Sequence, residues 1–212
     1  MTTMMKYLFP MIVIASLTSC GHIFTESNTY NTSSSVVINE AKVSSGVKPM
    51  GAEGGMALSA MIYTAGSAKL EGPFIWRIEA EGKAEHHTRL QVHRLKVETS
   101  LTKRREWYPA TMLGEYVAFV DYKKEPGKSY AVYRVPGKLT VFPEKDGDIT
   151  IYADITISNK TKSERKVVKF FLPAEQNKKE KEFLFFPAEI VKGFGQRDPR
   201  EWKLEQDWER DF

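Results

Sequence analysis

The chain contains 212 residues, which is enough for one domain with a sizeable hydrophobic core. Its 31 lysines and arginines against 27 aspartates and glutamates leave a formal net charge of only +4, which argues against a nucleic-acid-binding protein, because such proteins concentrate much stronger basicity on one surface. The single cysteine excludes an intrachain disulfide and a cysteine-rich zinc site.

An uncharged apolar run lies close to the N-terminus. Residues Tyr7–Leu17 read YLFPMIVIASL, and Lys6 precedes them. A transmembrane helix needs about 20 apolar residues, whereas the apolar region of a secretory signal has roughly 7–15 and follows a positive charge. We therefore predict a signal peptide over residues 1–19. A buried core segment of a cytosolic domain is the alternative interpretation.

The end of this run carries a second signal. Leu17, Thr18, Ser19 and Cys20 resemble the lipobox of bacterial lipoprotein precursors, in which an aliphatic residue and two small residues precede a cysteine. The resemblance covers residues 1–21 and implies cleavage before Cys20, a diacylglycerol on its sulfur and acylation of the new amino terminus. By the same resemblance, Gly21 after the cysteine implies the periplasmic face of the outer membrane.

Other roles for Cys20 fit this position less well. A catalytic nucleophile needs a base and an orienting group around a rigid site, and a signal-peptide junction supplies neither. A zinc site needs several cysteine or histidine ligands, and only His22 is nearby. Lipidation is therefore the predicted role of Cys20.

Residues 20–55 are expected to be a flexible tether between the lipid anchor and the folded domain. Gly21–Ser35 is rich in serine, threonine and asparagine, and it has too few large apolar side chains to offset the entropy of ordering. A first strand is expected near Val36–Val43, and the glycine-rich Lys48–Gly55 is predicted to be a loop. A phosphate-binding loop is the sharper alternative, but the strand-GxxxxGK-helix context that it needs is absent.

Residues 56–212 are predicted to form a single all-β domain. The clearest pattern is DITIYADITISN at Asp148–Asn159, where five apolar residues alternate with polar ones. Other short strands follow one another between turn signals without helical periodicity, which predicts an antiparallel β-sandwich, immunoglobulin-like or related. The further predicted strands are Met56–Thr64, Phe74–Ala80, Thr88–Thr99, Glu115–Tyr122, Tyr130–Val135, Leu139–Phe142, Val167–Leu172 and Glu182–Phe186.

The alternation in Thr88–Thr99 changes phase between Val92 and Leu95. One inserted residue shifts a strand's phase in this way, so we predict a β-bulge near His93 and Arg94.

A short helix is predicted at the end of the chain, from Asp198 to about Arg210. Asp198 suits the N-cap, Pro199 the first helical position and Glu201 the capping box. This helix would dock on the sheet through its apolar side chains.

The histidines of the domain are not predicted to bind a metal. His87 and His93 lie six positions apart, which is about 20 Å in an extended strand and too far for one ion. We predict that His86, His87 and His93 are exposed at strand edges.

Lys103, Arg104, Arg105, Trp107 and Tyr108 are the candidate residues for a ligand or partner. They set three cations beside two aromatic rings in a predicted loop. Arginine and aromatic side chains together hold anionic or sugar-bearing ligands by bidentate hydrogen bonds and stacking. The alternative is a solvated loop whose two aromatic rings pack into the core.

The sequence contains no GxSxG, HExxH or CxxC motif, and no catalytic residue or cofactor is predicted. We predict a non-enzymatic binding or assembly module, held at the membrane by the lipid on Cys20. Its expected partners are an envelope protein or an anionic glycan or lipid, and not a nucleic acid. The alternative is an envelope hydrolase or carbohydrate-active enzyme on an all-β scaffold, which would need a pair of carboxylates or a Ser-His pair in a concave pocket.

Overall fold

The computed structural model of the protein describes residues 20–60, 63–114, 116–185 and 200. Most of these residues are in β-strands, and one four-residue helix interrupts them. In chain order the elements are β1 (Cys20–Tyr30), β2 (Val36–Ile38), β3 (Ala41–Ala60), β4 (Tyr63–Lys83), β5 (His87–Thr99), β6 (Arg105–Tyr108), β7 (Val117–Ala118), β8 (Val120–Asp121), β9 (Lys128–Arg134), α1 (Pro143–Asp146), β10 (Ile149–Asn159), β11 (Ser163–Leu172) and β12 (Ala174–Phe185).

The described strands form two sheets. A seven-stranded sheet has the order β12-β1-β4-β3-β2, with β9 paired to β4 and β8 paired to β9. A five-stranded sheet has the order β11-β10-β5-β6, and β7 also pairs with β5. The described pairs of the five-stranded sheet are antiparallel, as predicted, whereas β1 and β4 run parallel.

The described residues separate into two compact units. The sandwich unit contains residues 28–51, 71–114, 116–176 and 200, and the second unit contains 20–27, 52–60, 63–70 and 177–185. The boundaries fall inside strands β1, β3, β4 and β12, and the predicted boundary at residue 56 is not among them. In the second unit, β1 pairs with β4 from Cys20 opposite Tyr63 to Ser27 opposite Leu70.

The sandwich unit has one hydrophobic core between its two sheets, which confirms the predicted all-β sandwich. On β10, alternation sends one set of side chains inward, and all five apolar residues of the predicted pattern are fully buried. Trp76 and Ile78 of β4 enter the same core from the other sheet. The inward residues of β10 are Ile149, Ile151, Ala153, Ile155 and Ile157.

The predicted β-bulge in β5 is confirmed. Arg94 lies opposite Asp154 of β10, but the next partner, Ile155, lies opposite Val92. His93 is therefore the inserted residue, and the alternation of β5 resumes on either side of it.

The structure corrects the flexible tether predicted for residues 20–55. Residues 20–30 form β1, and the glycine-rich segment lies within β3. In the sandwich unit, Asn28 and Tyr30 of β1 are buried. Hydrogen bonds to neighbouring strands satisfy the backbone of a polar segment without large apolar side chains of its own, which a prediction from composition does not count.

Several predicted strand bounds are corrected. The single strand predicted near Val36–Val43 is a hairpin, because the chain reverses at Asn39 and Glu40, both with positive φ, to pair β2 with β3. The strand predicted over Met56–Thr64 instead spans the end of β3 and the start of β4.

Two further predicted strands are shorter than expected and one is longer. Glu115–Tyr122 gives only the short β7 and β8, and Leu139–Phe142 gives a single bridge to Phe74. The predicted strand Glu182–Phe186 begins earlier, because β12 includes the charged residues 176–181. The predicted C-terminal helix lies outside the described residues, apart from Arg200.

Candidate functional site

The predicted loop at residues 103–108 is largely an edge strand. β6 pairs with residues 95–98 of β5. The turn before it is fixed by Thr99, whose backbone N–H donates to Arg104 O at 3.1 Å. The Thr99 hydroxyl in turn accepts a hydrogen bond from the backbone N–H of Arg104 at 2.9 Å. The turn therefore holds β6 in a set register on β5.

The five predicted binding residues do not form one patch, because successive side chains of a strand point to opposite faces. Arg104 and Tyr108 point toward the sandwich interior and are partly buried. Arg105 and Trp107 point to solvent, and Trp107 is 66% exposed. Lys103 is exposed in the turn before β6.

Arg104 and Tyr108 make contacts that stabilise the fold. The Tyr108 ring packs edge-on against Trp76, with ring centroids 5.0 Å apart, and its hydroxyl donates to Glu106 Oε2 at 2.9 Å. Burial raises the pKa of Tyr108, and its hydrogen bond to Glu106 adds to the rise. Arg104 Nη2 donates to Glu106 and to the backbone oxygen of Thr140. The interpretation of a ring packed into the core is thus correct for Tyr108 and wrong for Trp107.

Arg105 and Trp107 belong to a larger surface, which we call the outer face: the solvent-facing side of β6, β5, β10 and β11. Residues in register on antiparallel strands share a face. Trp107, Lys96, Tyr152 and Lys169 are in register across the four strands, so they form one row. Adjacent strands lie about 4.8 Å apart, which gives this row a length of about 14 Å.

The outer face is strongly cationic. Applying the same register to the neighbouring rows places six lysines and arginines on it against two carboxylates, a formal net charge of +4. The whole chain has the same formal net charge, so its positive surplus is matched by this one surface. The cations are Arg89, Arg94, Lys96, Arg105, Arg165 and Lys169, and the carboxylates are Glu98 and Asp154.

Asp154 holds two of the arginines in place. Arg165 donates from Nε and Nη2 to the two carboxylate oxygens, each at 2.8 Å, and Arg94 Nη2 donates to Oδ2 at 3.2 Å. The Asp154 side chain is only 6% exposed, whereas those of Arg94 and Arg165 are 67% and 57% exposed. The hydrogen bonds from Arg165 lower the pKa of Asp154 from 3.8 to about 2. The carboxylate is therefore ionised at neutral pH and orients both guanidinium groups.

Asp154→Asn is expected to lower the free energy of unfolding by about 2 kcal/mol at pH 7. Because the pKa is depressed in the folded protein, this stabilisation is complete above the ordinary value of 3.8 and is lost as the pH falls toward 2. Urea unfolding of both proteins at pH 7, 4 and 2.5 measures the difference, which should shrink to less than half of its neutral value at pH 2.5. A difference that stays constant across this range would contradict the prediction.

A second carboxylate holds the other two cations of β5 and β6. Glu98 Oε1 accepts from Lys96 Nζ at 2.9 Å and lies 3.1 Å from Arg105 Nε. The hydrogen bond from Lys96 is the main cause that lowers the pKa of Glu98. The outer face thus contains two groups of the same kind, each with two cations around one carboxylate.

Aromatic rings line the same row of cations. Lys96 Nζ lies 4.2 Å from the ring centroid of Tyr152 and 5.3 Å from that of Trp107, and Lys169 Nζ lies 5.8 Å from Tyr152. These distances are within the range of cation–π attraction. The lysine side chains are therefore held over the sheet by the rings as well as by Glu98.

The bulge in β5 adds a side chain to this surface. His93 Nε2 lies 2.8 Å from Thr156 Oγ1, and the adjacent Arg94 contacts Asp154, so two consecutive side chains reach the outer face. Without the inserted residue, His93 and Arg94 would point to opposite sides of the sheet. Burial lowers the pKa of His93, and the positive charge of Arg165 lowers it further. The bulge therefore brings Arg94 beside Asp154 while β5 keeps its apolar side inward.

Two shallow grooves lie on the outer face, on either side of the contact between Lys96 and Tyr152. The first, which we call the Trp107 groove, has a volume of about 300 Å³. Its walls are Trp107, Tyr152 and Val167, and Arg94 lies at its rim. The second, which we call the Arg105 groove, has a volume of about 310 Å³ and is lined by polar groups with Lys103, Arg105 and Lys169.

The prediction of exposed histidines is wrong for His87. This side chain is buried, its Nδ1 accepts from the backbone N–H of Lys83 at 2.8 Å, and its Nε2 lies 2.9 Å from the backbone oxygen of Asn39. His86 contacts Asn159 at 3.1 Å. In the described part of the chain, no group of three or more histidine, cysteine, aspartate or glutamate side chains is arranged to hold a metal ion.

Most of the outer face escaped prediction from the sequence. Arg94, Lys96, Tyr152, Arg165 and Lys169 all occupy the polar positions of alternating strands. Such positions ordinarily indicate a solvated face, and the available signal was that these cations cluster on two strands that pair with β10. Only the pairing of the strands shows that the cations share one surface.

No helix within the described ranges is long and apolar enough to cross a membrane. Comparison with known protein families, with curated protein sequences and with solved structures gave no significant match for this chain.

Proposed function

We propose that the chain is a lipid-anchored protein of the bacterial cell envelope that acts as a non-enzymatic binding module. The lipobox at Leu17–Cys20 supports an anchor on the periplasmic face of the outer membrane. The outer face supports binding to an anionic partner, because it presents a formal charge of +4 on a surface of oriented arginines, lysines and exposed aromatic rings. This concentration of charge is the observation that carries the proposal.

The carboxylates near the grooves support binding over hydrolysis. Asp154 lies in the Trp107 groove and Glu98 in the Arg105 groove, so among the described residues each groove has a single carboxylate. Both are bound by cations, and both have a lowered pKa. A general acid in a glycosidase needs a raised pKa and a second carboxylate nearby, and these two groups are tuned in the opposite direction.

A charge-matched pair of variants tests the outer face. One variant replaces Arg94, Arg105 and Lys169 by alanine, which leaves Arg165 on Asp154 and Lys96 on Glu98, so neither carboxylate loses all its partners. The control variant removes the same charge from exposed turns, at Lys123, Lys124 and Lys138. The full chain is purified in detergent and eluted from immobilised phosphocellulose with a salt gradient.

We expect the outer-face variant to elute at clearly lower salt than the control variant, with about a tenfold loss of affinity at fixed salt, because the removed cations act together on one surface. Thermal unfolding checks that both variants are folded. Equal shifts in the two variants would contradict the proposal, since retention would then follow net charge alone.

A further inference from the structure

We infer that the anionic partner is a polysaccharide whose sugar units carry carboxylate groups, and that it binds along the two grooves of the outer face. This inference rests on the proposed function, and it names the chemical class of the ligand. Three features carry it: the walls of the Trp107 groove, the orientation of Arg94, and the repetition of the groove on the other side of Tyr152.

The Trp107 groove combines an apolar wall with a charged rim. Trp107 is 66% exposed at one side, Val167 is 66% exposed at the other, and Tyr152 lies between them. A sugar ring has an apolar face of C–H groups and a polar edge of hydroxyl and carboxylate groups. Its face suits the Trp107 side of the groove, and its edge then lies toward the cations.

Arg94 is oriented to bind a carboxylate at the rim. Its Nη2 donates to Asp154, and within the described part of the chain this is the one hydrogen bond that its guanidinium makes. A guanidinium has five N–H groups in a planar fork, and that fork matches a carboxylate in a bidentate pair. Because Asp154 already fixes the fork, little side-chain entropy remains to be lost when an anion binds.

The Arg105 groove repeats this arrangement on the far side of Tyr152. It is similar in volume, shares Tyr152 as a wall, and contains Lys103, Arg105 and Lys169. Arg105 is fixed by Glu98 as Arg94 is fixed by Asp154, and its side chain is 70% exposed. Two equivalent sites side by side suit a polymer with repeating anionic units better than a single small molecule.

These features favour a glycan over a membrane or an acidic protein segment. An anionic bilayer attracts lysine and arginine by charge number, and it does not require guanidinium groups fixed by buried carboxylates. An acidic peptide supplies carboxylates, but its acidic side chains lack a ring face that would cover Trp107. A uronic acid supplies both the ring and the carboxylate.

The test uses oligogalacturonate as the probe and its methyl ester, an uncharged chain of the same sugar, as the control ligand. Isothermal titration on the full chain in detergent should give binding of oligogalacturonate and at least tenfold weaker binding of the ester. Arg94→Ala and Trp107→Ala should each weaken binding about tenfold. Lys123→Ala and Met112→Ala remove an exposed cation and an exposed apolar side chain elsewhere, and they should change affinity less than twofold.

Poly-L-glutamate and mixed micles of phosphatidylglycerol serve as competing probes in the same titration. Glutamate polymer bound as tightly as oligogalacturonate, without any effect of Trp107→Ala, would overturn the glycan inference in favour of an acidic protein partner. Preferential binding to the phosphatidylglycerol micelles would overturn it in favour of a membrane surface. Both results leave the outer face as a binding surface, whereas failure of every polyanion to bind there would overturn the proposed function as well.

Discussion

Replacement of Trp76 by alanine is expected to lower the free energy of unfolding by about 3–5 kcal/mol. Trp76 is fully buried in the core of the sandwich unit, where its ring meets Tyr108 edge-on at 5.0 Å. The substitution removes the largest buried side chain of β4 and leaves a cavity that the rigid sheets on both sides cannot fill. A loss of this size is a large fraction of the stability of an ordinary domain.

Trp107→Ala is the matched control, because it removes the same side chain from the outer face. Trp107 is 66% exposed, so its loss should change the free energy of unfolding by no more than about 0.5 kcal/mol. Urea unfolding followed by circular dichroism measures both variants. Similar losses at the two positions would show that the assignment of Trp76 to the core and Trp107 to the surface is wrong.

Cys20→Ala is expected to abolish lipid labelling of the chain and to release it from the membrane fraction. If the lipobox is processed, the thiol at position 20 carries the diacylglycerol, and alanine has no atom to which it can be attached. Two or more acyl chains give stable anchoring, whereas a chain without them has no comparable affinity for a bilayer. Cys20 is also the first residue of β1 and lies opposite Tyr63 of β4, so the proposed anchor would be joined directly to a strand.

Uptake of radiolabelled palmitate and fractionation of the envelope measure this effect. Ser19→Ala is the control, since it keeps a small residue before the cysteine and should retain both the label and the membrane location. Label in the wild-type protein and in Cys20→Ala alike, or in neither, would overturn the proposed anchor.

Local patterns were enough to predict the centre of the five-stranded sheet. In β10, the alternation of isoleucine and polar residues predicted which side chains enter the core, and the structure buries all five of them. In β5, a change of phase predicted the inserted residue at His93. Both features depend on a strand's own period of two, which the sequence displays without reference to any neighbour.

Segments whose order depends on their neighbours were not predicted. β1 is polar, β3 contains several glycines and β12 is rich in charge, and composition alone makes each of them look like tether, loop or connection. Their backbones are nevertheless paired with other strands. Such pairing satisfies the N–H and C=O groups whatever the side chains are, so its signal is in the partner strand and not in the segment itself.

The candidate site shows the same division. The sequence identified Arg105 and Trp107, but it grouped them with Arg104 and Tyr108, which the strand period directs to the opposite face. It gave no indication that Asp154 would bind arginines 60 positions before it and 11 positions after it.

The sequence by itself determined the class of the fold, the inward side of β10 and the bulge in β5, because each depends on the spacing of apolar residues along one strand. Only the tertiary structure decided which cations share a surface. The grouping of Arg94 and Arg165 around Asp154 depends on the order and register of three strands, and hydrogen bonds between distant segments set that register. The outer face, and with it the proposed ligand, therefore follows from strand pairing and from no single stretch of the chain.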